Sequence, residues 1–174
     1  ALRTRVDQGE DFEIIAQSKG GSDDPSAREN GGDLGWFTAF QMVYPFEDAA
    51  FRTAVGELSP LLRTRYGYHF LEVTGRRDAR GEIRTAHIMI RSKSGDTDDA
   101  KDRAQSRIAQ IHDLLGKGVS WEESALKMSE DASTSSKGGE LPWFSTGKMV
   151  ESFEDSAFGL SKDGQISEPF QTSY

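Results

Sequence analysis

One stretch of this sequence occurs twice, and that repetition limits the folds open to the chain. Asp24-Pro25-Ser26, Gly31-Gly32-Asp33-Leu34-Gly35-Trp36-Phe37 and Met42-Val43-Tyr44-Pro45-Phe46-Glu47-Asp48-Ala49-Ala50-Phe51 make up the first copy. The second reads Asp131-Ala132-Ser133, Gly138-Gly139-Glu140-Leu141-Pro142-Trp143-Phe144 and Met149-Val150-Glu151-Ser152-Phe153-Glu154-Asp155-Ser156-Ala157-Phe158. Upstream, Gly9-Glu10-Asp11-Phe12-Glu13 answers Gly118-Val119-Ser120-Trp121-Glu122. Downstream, Gly56-Glu57-Leu58-Ser59 answers Gly164-Gln165-Ile166-Ser167, and Thr64-Arg65-Tyr66 answers Thr172-Ser173-Tyr174. The separation stays between 107 and 109 residues, being 107 from Trp36 to Trp143 and 108 from Tyr66 to Tyr174. So steady an offset over separate segments marks two copies of one domain.

The copies differ at their ends. Copy one runs on through Gly67-Tyr68-His69-Phe70-Leu71-Glu72-Val73, an alternating aromatic and β-branched run that reads as a strand. Copy two stops at Tyr174, where that strand would begin. It opens instead with a strand of its own, Thr85-Ala86-His87-Ile88-Met89-Ile90, which copy one does not have. Residues 1–76 are therefore read as a repeat lacking its first strand, and residues 83–174 as a repeat lacking its last. Between them, Gly75-Arg76-Arg77-Asp78-Ala79-Arg80-Gly81 reads as a polar, Gly-bounded turn or linker.

Local patterns fill in the elements. From Asp98 to Leu115, apolar Ala100, Ala104, Ile108, Ile111 and Leu115 fall at helical spacing. Thr97 can cap that helix, acids fill its first turn, and Gly116 ends it. Short helices are expected at residues 121–128 and 153–159, and a short strand at residues 141–144, weakened by Pro142. The order implies an α+β domain around a small antiparallel sheet. A net charge of −8 argues against a nucleic-acid partner, which needs a basic patch. No run approaches the ~20 apolar residues of a membrane span. With no cysteine, disulfide and thiol chemistry are excluded.

The Gly-Gly-Asp-Leu-Gly-Trp-Phe run, the segment from Gln41 to Phe51 and the segment from Thr64 to His69 resemble the parvulin peptidyl-prolyl cis/trans isomerases. Tandem copies are similar to bacterial parvulin chaperones. The resemblance implies a parvulin (FKBP-like) fold, a small antiparallel sheet surrounded by helices. It also implies isomerase activity on X–Pro bonds without metal or cofactor, and proline-containing unfolded polypeptides as clients. The setting implied is the bacterial periplasm or cell envelope, the targeting signal lying outside this sequence. Carried over by motif, the site residues of copy one are Asp24, Thr64 and His69, with Leu34, Gln41, Met42 and Phe46 around the substrate. Those of copy two are His87, Asp131 and Thr172, with Leu141, Met149 and Phe153. Neither copy alone holds the full set.

These residue types suit the chemistry. Amide resonance opposes rotation by ~18–20 kcal/mol, and no bond to another atom has to be made. The site need only hold the twisted amide better than the planar one. Met and Phe build an adaptable apolar wall for the proline ring. Histidines joined through Asp and Thr form a hydrogen-bond network near the carbonyl, with the aspartates orienting rather than attacking. Lys148 replaces Gln41 in copy two.

Blander readings apply elsewhere. Phe51 and Phe158 are expected in the core, His112 on the surface, and both Gly-Gly pairs in tight turns rather than phosphate cradles. The acids at Asp96, Asp98 and Asp99 lack the spacing of a calcium loop. With Arg91 and Lys93 the only bases before those acids, a preference for phosphorylated Ser/Thr–Pro is not expected. Residues 68–73 and 85–90 are near enough for a hairpin, within the chain or swapped in a homodimer, that would unite His69 and His87. The competing function is a non-catalytic chaperone module that binds extended segments in the same cleft.

Overall fold

The computed structural model describes residues 2–93 and 95–173; Tyr174, the last residue of the repeat, lies outside them. The chain divides into two compact units, residues 1–79 and 80–174. Both are mixed α+β, as the element order implied.

The first unit opens with α1 (Leu2–Asp7) and α2 (Phe12–Gln17). The Asp11 carboxylate starts α2 by accepting the Ile14 N–H at 3.0 Å, one of the donors a helix start leaves unpaired. Helix α2 buries Ile15 and Ala16. A single turn, α3 (Ala27–Asn30), buries Ala27. Helix α4 (Tyr44–Arg52) begins around Pro45, whose missing N–H costs nothing in a first turn. Strands β1 (Leu62–Thr64) and β2 (Gly67–His69) pair antiparallel, with Leu62 opposite His69. Ser59 and Leu71, both buried, extend the ladder: the Ser59 N–H donates to the Leu71 carbonyl at 2.8 Å.

In the second unit β3 (Glu82–Ile83) pairs antiparallel with β4 (Phe144–Ser145). Helix α5 (Asp98–Gly116) is capped by Thr97, as expected, but includes Gly116 and ends at Lys117. Helix α6 (Trp121–Met128) is capped by Ser120, the counterpart of Asp11. A 3-10 turn (Ser135–Lys137) and α7 (Glu151–Phe158) follow. Ile111, Ala125, Phe144 and Ala157 form the core, each with at most 5% of its surface exposed. Burying one such Ile or Phe side chain stabilises by about 1.5–3 kcal/mol.

Several expectations are corrected. Residues 85–90 form no continuous strand, because their partner changes midway. His87 N–H donates to Gly139 and Thr85 accepts from Leu141, whereas Met89 accepts from Glu130. After the second Gly-Gly, Glu140 bridges Ala86, and the strand itself is Phe144–Ser145 rather than residues 141–144. Phe51 is 47% exposed, resting edge-on against Phe37, and is not core. Phe158 is half-buried against Phe144.

The intrachain hairpin is not formed: β2 pairs with β1 in one unit, and Ala86 bridges to Glu140 in the other. The segment read as a turn is pinned at both ends. Arg76 donates to the carbonyls of Ala50, Phe51 and Thr53, and Arg77 stacks 4.1 Å over Trp36, all in the first unit. Arg80 binds Asp155 in the second.

Candidate functional site

In the second unit the site is assembled around His87. Gly139 sets the position of its backbone: the Gly139 carbonyl accepts the His87 N–H at 2.9 Å. A Cβ at residue 139 would stand 2.1 Å from the His87 carbonyl oxygen, and φ is +76°, so only glycine fits. All four residues of the two Gly-Gly pairs have positive φ, in keeping with tight turns.

The His87 Nε2 lies 2.8 Å from Asp131 Oδ2. A carboxylate accepts only, so Nε2 carries the hydrogen and the tautomer is set. Thr134 Oγ1 donates to the same Oδ2 at 2.5 Å and sits 3.3 Å from His87 Nε2. The other oxygen, Oδ1, accepts from the Ser133 hydroxyl at 2.6 Å and its N–H at 3.1 Å. These donors, the Ser133 and Thr134 hydroxyls first, hold the Asp131 carboxyl far below the usual carboxylate range.

In front of His87 lies an apolar cleft. Its ring meets Phe153 edge-on at 5.9 Å, and Phe153 in turn contacts Phe144 and Phe170. His87, Leu141, Met149, Phe153, Phe170 and Thr172 are among the residues around a cavity of about 970 Å³. The stripe of α5 faces it too, through Ala104, Ile108 and Leu115. His112, expected on the surface, also lines it and approaches Glu168 at 3.9 Å. Trp143 stands outside, 63% exposed with Arg84 over its ring.

The first unit has a histidine of its own. His69 Nε2 is 2.7 Å from Thr64 Oγ1, and the His69 ring meets Phe46 edge-on at 5.8 Å. Phe46 and Phe153 are repeat equivalents, so each unit sets a histidine against the same position, His69 from β2 and His87 from the segment before α5. Asp24 accepts from the Ser26 N–H and hydroxyl at 3.0 and 2.8 Å. Those bonds, with the nearby His69, lower its carboxyl below the ordinary value. Met42 is half-buried, while Leu34 is 44% exposed. Gln41 Oε1 accepts the Thr38 N–H at 2.8 Å, so its carbonyl end serves its own loop.

Thr134 escaped the motif because its repeat equivalent is Ala27; an Asp followed by adjacent Ser and Thr was the available signal. Two buried glutamates escaped as well. Glu47 accepts the Phe40 N–H at 2.8 Å, and Glu154 accepts those of Lys148 and Met149 at 2.9 and 3.0 Å. Among the described residues no group of His, Asp and Glu is arranged to hold a metal ion, and no helix is long and apolar enough to cross a membrane.

Two family models, both described as a PPIC-type PPIase (peptidyl-prolyl isomerase) domain, match residues 1–77 and 87–174. The chain is 33% identical over 175 residues to "Chaperone SurA" of Nitrosococcus oceani, covering 96% of this chain and 39% of that protein. It is 32% identical over 175 residues to the protein of the same name from Alcanivorax borkumensis, covering 98% of this chain and 39% of that one. "Foldase protein PrsA" of a Geobacillus strain is 39% identical over 112 residues, covering 63% of this chain and 39% of that protein. The chain thus spans about two-fifths of the length of these relatives. Paired family matches coincide with two histidines set on equivalent phenylalanines, and the chain belongs to the family of PPIC-type, or parvulin, peptidyl-prolyl isomerase domains.

Proposed function

We propose that this chain is two parvulin copies, residues 1–76 and 83–174, and that the clefts beside His69 and His87 accelerate rotation about X–Pro bonds in unfolded polypeptides. The observation carrying this reading is the His87, Asp131 and Thr134 network standing edge-on to Phe153. The prolyl ring packs against the apolar side chains of Met149, Phe153 and Leu141 and displaces water from them. Loss of water from the carbonyl weakens the charge-separated resonance form that keeps the amide planar, so the twisted state is favoured. Asp131 is held anionic by three hydroxyl and ring donors, which makes it a poor nucleophile. Its role is to orient His87 and fix the field at the carbonyl. Thr172 is the repeat equivalent of Thr64, the residue bonded to His69, and Asp24 takes the part of Asp131 in the first unit. Leu34, Gln41, Met42 and Phe46 bound the first cleft.

The names of the relatives support clients that are folding proteins, and a place in the bacterial periplasm or cell envelope is proposed with them. Because those names include a chaperone, the second reading is a cleft that binds extended segments without turning them over. A strand exchanged between two copies of the chain would bring His69 and His87 to one site. A chain that sediments as a monomer and still isomerises would rule that exchange out as the source of activity.

The deciding experiment is isomerisation of a proline-containing tetrapeptide. Acceleration by the wild-type chain, lost in Asp131→Ala/Met149→Ala, is the expected result. No acceleration, or a rate untouched by the double substitution, refutes catalysis at this cleft. Suppressed client aggregation by the same double variant then favours the binding module.

A further inference from the structure

The second unit buries a carboxylate directly behind the floor of its cleft. Glu154 is only 3% exposed and sits on α7 beside Phe153. Its Oε1 accepts two consecutive backbone N–H groups, those of Lys148 and Met149, in the loop that enters the helix. Val150, at the helix N-cap, supplies no side-chain acceptor of its own. The other oxygen, Oε2, faces Arg80 Nη2 at 3.4 Å. Arg80 also binds Asp155 Oδ1 at 2.6 Å and lies 4.6 Å over the Phe158 ring.

A buried carboxylate is costly unless charge and hydrogen bonds compensate it. An apolar side chain would fill the space without that penalty, so the charge calls for a further explanation. The residues it touches supply one. Met149 is a wall of the cleft, and its own N–H is what Glu154 holds. Phe153, the adjacent residue, carries the ring against His87. Arg80 lies two residues before β3, on the segment that leads to His87. The pair therefore ties the segment that leads into the histidine to the loop and helix bearing the floor. The device recurs: Glu47, 8% exposed, accepts the Phe40 N–H in the loop leading to Met42, before a helix whose N-cap Val43 again supplies no side-chain acceptor.

We propose that Glu154, held by Arg80, is a positioning residue that sets Met149 in the floor of the cleft relative to Phe153 and His87. It touches no substrate; it acts through the Met149 backbone. This rests on the isomerase reading of the cleft, and two readouts separate the two claims. The first is the ¹³C-methyl resonance of Met149 in the whole chain, which reports its place in the cleft whether or not the chain is active. The second is kcat and KM for a proline tetrapeptide.

In Glu154→Ala the Met149 resonance shifts or broadens and kcat/KM falls by roughly ten- to a hundredfold, mostly through KM. Glu154→Gln keeps a carbonyl acceptor for the two N–H groups and recovers most of the loss. A folded Glu154→Ala with the Met149 resonance and kcat/KM unchanged overturns the proposal, as does a Gln variant as impaired as Ala. If Glu154→Ala does not fold, Arg80→Lys against Arg80→Ala decides. The lysine retains a cation for Glu154 and should keep the wild-type Met149 resonance, while the alanine should not; equal resonances overturn the proposal. A wild-type chain without activity refutes the isomerase reading alone, and the Met149 resonance still judges the positioning.

Discussion

Replacing Phe40 by glycine should stabilise the first unit, and the amount can be worked out. Phe40 is the only non-glycine among the described residues with positive φ, at +69°. An L-residue there brings Cβ against the following carbonyl, at a cost of roughly 1–2 kcal/mol. Its ring is 97% exposed, so removing it forfeits almost no burial. The conformation is held by Glu47, which takes the Phe40 N–H at 2.8 Å, and glycine keeps that bond. At the equivalent position of the second unit stands Gly147, with φ +82°. Against relief of strain stands the greater freedom of glycine in the unfolded chain, about 0.5–1 kcal/mol. The net expectation is a gain of about 0.5–1 kcal/mol.

Hydrogen exchange at Ser59 is the suitable assay, because that residue is fully buried and its N–H is bonded within the first unit. Where it exchanges through unfolding of that unit, the gain slows exchange about two- to fivefold. Phe40→Ala is the control: it removes the ring but keeps Cβ and the strain, so it should stay within about 0.5 kcal/mol of wild type. Equal gains from Ala and Gly would show that the ring, not the backbone, was the burden. Faster exchange in Phe40→Gly would refute the strain altogether.

Acidification should weaken the second unit through Asp131. Its folded-state pKa is depressed, so its contribution is complete above the unfolded value of about 3.9 and fades as pH falls below it. Asp131→Asn should flatten the acid limb of the unfolding curve; an unchanged limb argues against the network. Gly139→Ala should cost the second unit about 3 kcal/mol or more in thermal unfolding, since Cβ meets the His87 carbonyl. Thr134→Ala removes a hydroxyl donor from Asp131, a loss of about 1.5–3 kcal/mol, and should shift the His87 ring resonances while leaving those of His69 unchanged.

Features set by neighbouring residues could be read from the sequence, because the chain atoms that make them are only a few residues apart. The N-cap at Thr97 and the span of α6 need nothing beyond their own turns. The motifs of the family resemblance, present in both copies, also indicated Met149, Phe153, Met42 and Phe46. Tertiary structure decided the rest. His87 meets Asp131 across 44 residues, and Thr134 joins them although the first copy has Ala27 there. In the sequence Glu154 is one of three acids on α7; only the fold buries it and gives it Arg80, 74 residues earlier, as a partner. The linker looked like a turn because its composition is that of one; which carbonyls and rings its arginines reach depends on where α4, Trp36 and α7 come to lie. The internal repeat thus specified which residues recur, and long-range packing, where hydrogen bonds and charges must find partners out of water, specified which of them meet.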